Sequence, residues 1–153
     1  MTERLQDSFF RALFHSPVVG IAVVDLNSLV VVDANDLMLE ILGRTRDELL
    51  NIPDVWKEIA LPGYAEPNAR ALEQALERGY SDPLIKHYVR PGGDRVPVRT
   101  IFGRVPDYPD RLVVFASDVT EEWKQREQAA ERQARFNVAI SAARRLGLQR
   151  RNG

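Results

Sequence analysis

Residues 20–50, GIAVVDLNSLVVVDANDLMLEILGRTRDELL, constrain the fold more than any other stretch of this chain. Two apolar runs, 20–25 and 29–33, flank Leu26, Asn27 and Ser28, and a polar, turn-prone pair between such runs predicts a β-hairpin. Asp33 and Asn35 then offer side-chain oxygens to the first free amides of a helix. Leu37, Met38, Ile41 and Leu42 recur at helical spacing until Gly43 stops it. A hairpin therefore feeds directly into a short helix.

The flanking sequence extends this pattern. Thr2 can cap a first helix whose Leu5, Phe9, Phe10, Ala12, Leu13 and Phe14 form a broad apolar stripe, ended by His15, Ser16 and Pro17. That stripe must be covered, either by the domain's own sheet or by the same helix of a second copy. Leu5, Phe9, Phe10 and Leu13 are the candidates for such a dimer interface. Thr45 with Asp47 and Glu48 reads as the cap of a very short helix. Residues 51–67 are broken by Pro53, Pro62, Gly63 and Pro67, yet Val55, Trp56, Ile59, Leu61 and Tyr64 are too apolar for a solvated linker, so the segment resembles a lid. From Pro67 a helix is expected with Ala69, Leu72, Ala75 and Leu76 on its covered face and Gly79 at its end.

From Pro83 the period changes to two. Ile85, His87 and Val89 are expected inward and Lys86, Tyr88 and Arg90 outward, with a turn at residues 91–94. On the return strand Val96, Val98, Thr100 and Phe102 share a face opposite Arg95 and Arg99, and a last strand covers residues 112–117. The sum is an α+β architecture: a five-stranded antiparallel sheet with helices on one face, an N-terminal amphipathic helix and a long C-terminal helix over about 121–146. The expected division is 1–16 for the first helix, 17–120 for the central domain and 121–153 for the last helix and tail.

Composition narrows the class. A net charge of −1 provides no field to attract nucleic acid or a membrane surface, and no run approaches the length of a membrane span, so a cytoplasmic location is expected. From Glu121 onward eight Lys and Arg face four Glu, read as a solvated basic helix; Ala129, Phe136, Ile140 and Ala143 recur at roughly three-and-four spacing, so a coiled coil stays open although Arg126 and Gln133 interrupt a true heptad. With no cysteine there is no disulfide or thiolate chemistry, and no His, Asp and Glu fall at metal-ligand spacing. Two histidines and no Gly-x-Ser-x-Gly turn give a hydrolase little to build on. A small enzyme recruiting a buried Asp25 or Asp33 remains the minor alternative.

Three stretches, residues 20–49, HYVRPGGDRVPV at 87–98 and LVVFASDVTEEWKQRE at 112–127, together resemble a PAS domain, the sensory module of bacterial signalling proteins. The resemblance implies a five-stranded sheet, helices enclosing a small cavity, and a C-terminal helix that carries signals out. Asn35 matches the family's fold-defining asparagine after the second strand. Asp118 and Thr120 match its Asp-x-Thr junction, where the aspartate ties the outgoing helix to the core, and Trp123 follows in that helix. Asn27-Ser28 and Gly92-Gly93 stand where the family has Asp-Gly turns.

The cofactor is unknown. Flavin-adduct photosensors of the LOV type, like the yellow photoreceptors, need a cysteine that this chain lacks, and haem-binding relatives place a histidine on the long helix where residues 69–78 have none. Non-covalent flavin or a small organic ligand stays open, since Trp56 and Tyr64 can stack on a ring or else simply fill the lid's core. The cavity candidates are Met38, Leu42, Trp56, Tyr64, Leu72, Leu76, His87, Thr100, Phe102, Phe115 and Ser117. His87, read as inward, can bond a ligand carboxylate or report pH, or be a core histidine satisfied within the fold. Thr100 and Ser117 can line the cavity or bond neighbouring backbone.

The functional expectation is a non-enzymatic sensory and dimerisation module, with a purely structural, ligand-free interaction module as the alternative. Its partners would be a second copy and a kinase, cyclase or transcription-regulator effector. No effector motif is visible, so the chain is read as a fragment or as acting in trans. ARFNVAISAARRLG at 134–147 resembles the lead-in to a further unit of the family.

Overall fold

The computed structural model describes the backbone of residues 2–151 and the side chains of residues 7–147. In chain order it comprises α1 (Thr2–Phe14), β1 (Gly20–Asp25), β2 (Val31–Ala34), α2 (Asp36–Leu42), α3 (Arg46–Leu49), α4 (Val55–Ile59), α5 (Ala65–Arg78), β3 (Leu84–Val89), β4 (Arg95–Arg104), β5 (Arg111–Asp118) and α6 (Thr120–Arg151), with a 3-10 turn at Pro62–Tyr64. The five strands form one antiparallel sheet in the order β2-β1-β5-β4-β3. The described chain divides into two compact units, one ending at Val119 and the other, α6, beginning at Thr120.

The opening hairpin turns on Asp25, whose Oδ1 accepts from the Asn27 and Ser28 amides at 2.8 and 3.0 Å while its Oδ2 meets Arg111 at 3.0 Å. Leu29 does not join β2 as expected. It sits at φ 60 in the turn, and the strand starts at Val31, because the backbone needs that extra residue to reverse. Asp33 binds the amide of its own neighbour Ala34 at 2.9 Å, so the cap of α2 is Asn35 alone. Gly43 ends α2 in the left-handed conformation, φ 65, that a glycine adopts without strain. Gly20 suits close packing: a Cβ there would lie 2.9 Å from Ile41 Cδ1 and 3.2 Å from Met38 Cα, so glycine lets α2 lie against β1 without a shift of either element.

Asn35 is 1% exposed and uses its whole carboxamide. Oδ1 accepts from the amides of Ile21 and Met38 at 2.8 and 2.9 Å, and Nδ2 donates to the carbonyls of Phe14 and Val19, both at 2.8 Å. One side chain thus joins the end of α1, strand β1 and the start of α2.

The core lies between the inner face of the sheet and α2 to α5. Ala22, Val24, Val96, Val98, Leu112, Val114 and Ala116 meet Met38, Ile41, Leu42, Val55, Ile59 and Ala75 there. Residues 51–67 do run over the sheet, and they contain a helix, α4, that the prolines concealed. Ala60 bridges to Tyr88 along the open edge of β3. The expected face of β3 is reversed, and that of α5 is rotated, keeping Leu72 and Ala75 but leaving Ala69 and Leu76 exposed. On β3 the buried residues are Lys86 and Tyr88, not Ile85, His87 and Val89, because Val98 and Val96 stand opposite them in register and share their face. On α5, which begins at Ala65, Ala71 and Ala75 are buried with Leu72 partly so, while Leu76 is 41% exposed, because α5 lies on β4 through its small residues. The last helix extends beyond the expected 121–146.

Asn35→Ala should lower stability by on the order of 3 kcal/mol, combining a lost helix cap with stranded buried amides and carbonyls. Asn35→Asp, which keeps the acceptors but cannot donate to two carbonyls, should cost at least as much at neutral pH. Denaturant midpoints measure both, and a loss below about 1 kcal/mol would remove Asn35 from its central place.

Candidate functional site

The inner face of the sheet, α4, α5 and the first turn frame a partly open cavity of about 300 Å³. Its walls are Val24, Leu26 and Leu29 from the first hairpin, Trp56 and Ala60 from the lid, and Ala65, Asn68, Ala69 and Leu72 from α5. Lys86, Tyr88, Phe102, Leu112 and Val114 come from the last three strands. Strand alternation presents Lys86 and Tyr88 together, and the helical step from Asn68 to Leu72 turns both toward them. Trp56 packs on Tyr88 with ring centroids 6.0 Å apart.

Lys86, Asn68, the Tyr88 hydroxyl and the Trp56 indole N–H are the polar side-chain groups among the residues of this wall. Lys86 is 3% exposed, donates from Nζ to Asn68 Oδ1 at 2.6 Å, and places its ammonium 5.3 and 5.0 Å from the Tyr88 and Phe102 ring centroids. Those ring faces and one amide oxygen replace part of its lost hydration. Burial lowers the ammonium from 10.5 to about 8 and raises the Tyr88 phenol, each shift favouring the neutral form.

Of the expected cavity residues, Trp56, Leu72 and Phe102 line this space. Met38 and Leu42 are fully buried in the core beneath α2, outside the cavity wall. Thr100 is 1% exposed and donates to the Leu84 carbonyl at 3.3 Å, the backbone-bonding role. Ser117 pairs with Arg99 and Phe115 with Ile101, so both lie on the opposite face of the sheet from the cavity, and Leu76 is exposed. His87 lies on that opposite face too, where its Nδ1 meets the Tyr64 hydroxyl at 3.0 Å, so neither residue of this pair reaches the cavity.

Lys86, Tyr88 and Asn68 are the residues that sequence reasoning missed. The loop length hid them: a four-residue turn at 91–94 pairs Arg90 with Arg95 and so sets His87 opposite Val98, whereas the Arg90 amide donates to the Asp94 carbonyl, the loop is one residue shorter, and Tyr88 pairs with Val96 and Lys86 with Val98.

Asp25 is held below the usual carboxylate range, first by the Ser28 amide and then by Asn27, with Arg111 adding to the effect, and it lies outside the cavity wall. Among the described residues no three His, Asp or Glu side chains gather at metal distance, and no helix is long and apolar enough to cross a membrane. A flavin of the cysteinyl type does not fit this cavity, since the chain contains no thiol to form the adduct.

Lys86→Met should stabilise the fold near neutral pH, with about 3 kcal/mol as the ceiling set by a fall from 10.5 to about 8. The sign follows from proton counts: between pH 8 and 10.5 the unfolded chain holds more protons at this lysine, so stability of the parent rises with pH across that window. Melting curves of parent and variant should therefore converge as pH climbs through it. A variant that melts lower at neutral pH would show Lys86 to be a structural support.

Comparison with known proteins agrees with this geometry. A PAS domain family model matches residues 18–121. The hybrid signal transduction protein dokA of Dictyostelium discoideum is 28% identical over 121 residues; the match takes in 79% of this chain but only 7% of that protein's length. A domain of a sensory box sensor histidine kinase/response regulator from Geobacter sulfurreducens is 25% identical with a TM-score of 0.55, covering 74% of this chain and 94% of that one. A Rhodobacter sphaeroides LOV protein shares the fold at 22% identity and TM-score 0.62, covering 86% and 76%. The PAS domain of a LuxR-family transcriptional regulator from Burkholderia thailandensis, solved in complex with ethanol, shares it at 16% identity and TM-score 0.57, covering 72% and 97%. The five-stranded sheet, its roof of short helices and the match over residues 18–121 together make this chain a member of the PAS domain family.

Proposed function

We propose that this chain is a non-enzymatic sensory module of a cytoplasmic signal-transduction protein, in which occupancy of the cavity is relayed along β5 into α6 and so to an attached or associated effector. The observation that carries the reading is that Leu112 and Val114 of β5 form part of the cavity wall, and the same strand passes into α6 through a single residue, Val119. Val119 is 4% exposed and its amide donates to the Pro97 carbonyl at 3.0 Å, so the last residue before the helix belongs to the core. A ligand that displaces β5 would bias the start of α6 by the differential contacts it makes in the two states. Asp118 and Thr120 flank that residue and are the proposed joint, with Trp123 one turn on. The relatives support an effector of kinase or transcription-regulator type, and the ethanol-bound PAS domain supports occupancy by a small organic molecule.

A second reading, an interaction module that works without ligand, is favoured by α1. Phe9, Phe10 and Leu13 are 67, 46 and 42% exposed; Leu5 lies outside the residues whose side chains are described. We assign this face to a second copy of the chain, because the domain's own sheet leaves it uncovered.

Native mass spectrometry of protein purified from its own host, with an absorption spectrum, should find a bound small molecule; an empty dimer would favour the second reading. Asp118→Ala should lower the melting temperature and the hydrogen-exchange protection at the start of α6, and unchanged protection would remove the relay. Replacing Phe10 and Leu13 by Glu should convert a dimer into a monomer in sedimentation velocity, whereas an unaltered sedimentation coefficient would exclude α1 from the contact.

A further inference from the structure

We propose that the cavity takes a small amphiphilic anion, an apolar body carrying one carboxylate, with that carboxylate held by Lys86 and Asn68. This rests on the sensory reading and narrows it to a ligand class.

The argument begins with what surrounds the ammonium. Lys86 has three donor protons, of which Asn68 takes one, and the Tyr88 and Phe102 rings flank Nζ without accepting a conventional hydrogen bond. Among the described residues the ion pairs involve Arg44, Arg46, Lys57, Arg78, Arg90, Arg111 and Arg135, and none involves Lys86. The chain thus buries a cation without a counter-ion, in the wall of a space otherwise lined by alkyl and aromatic groups. Such a group costs stability when empty and returns it when a negative partner arrives, since opposite charges interact strongly where water is excluded.

The rest of the cavity selects the body of the ligand. Leu26, Leu29, Leu72, Leu112 and Val114 offer only dispersion and hydrophobic contact and Trp56 adds a ring with a single N–H donor, so a sugar or an amino acid would leave polar groups unpaired there. The head group is selected by number: one ammonium and one carboxamide match a single carboxylate. A phosphate dianion would leave a charge and several acceptors facing hydrocarbon.

Octanoate and octan-1-ol share an alkyl chain and differ in the head, and each can be titrated calorimetrically into the full chain near neutral pH. Octanoate should bind at least about tenfold more tightly than the alcohol. Lys86→Gln, which can still meet Asn68, and Lys86→Met should both abolish that preference by weakening octanoate at least about tenfold more than the alcohol. Leu72→Trp, which fills the cavity, should weaken both probes. Equal affinity for the two probes, or a preference that survives both Lys86 substitutions, overturns the anion assignment while the sensory reading stands on alcohol binding. Binding of neither probe also overturns it, and the host-purified protein then decides the sensory reading separately.

Discussion

The Asn35 carboxamide makes four hydrogen bonds to backbone groups from three parts of the chain, and the arrangement of α1, β1 and α2 follows from them. Each of those backbone groups sits where the regular ladder ends: the Phe14 carbonyl closes α1, the Val19 carbonyl and Ile21 amide stand at the entry to β1, and the Met38 amide is among the free donors of α2. A buried group of this kind is satisfied by a side chain or left unpaired at a cost of about 1–3 kcal/mol. Asparagine suits the position because it alone combines a short reach with two donors and two acceptors; aspartate has no donors when ionised, and serine has a single one. With α2 pinned in this way, the absence of a Cβ at Gly20 lets it lie flat on the sheet, and the apolar positions of both elements close the core.

Above that core the fold is less economical. The space between α5 and the sheet is left as a cavity of about 300 Å³ instead of being filled, and a lysine stands in its wall. Small residues on the wall that α5 contributes, Ala65 and Ala69, are what leave the room. A leucine at such a position would contribute more buried area, and a methionine in place of Lys86 would remove a desolvated charge. Both departures from maximal stability fall in the same place, which is where a binding function would put them.

The strands were legible because each carries its own evidence. Apolar alternation, the residue types at the turns, the Thr45–Glu48 capping box and the Asn35 cap are interactions between residues a few positions apart, and the chain adopts them wherever the rest of the fold allows. The candidate site was less legible. β3 is an edge strand with mixed residues on both faces, so its alternation has no sign of its own and takes one from β4. The expected inward set put His87 in the cavity. In the fold it meets Tyr64 on the far side, and Lys86, which looked like an outward polar residue, lines the wall. Ser117 and Phe115 were displaced by the same parity effect on β5. On α5 the large residue Leu76 drew the predicted face toward itself, whereas close approach to β4 selected Ala71 and Ala75.

Read alone, the sequence determined the class of the fold, the order of its elements, the caps and turns, and the absence of thiol chemistry, since all of these rest on residue identity or on contacts between near neighbours. The tertiary structure decided which face of β3 and of α5 turns inward, and therefore which side chains share the cavity. Those choices depend on hydrogen-bond register between strands and on how closely a helix can approach a sheet, and both are settled between residues far apart in the chain.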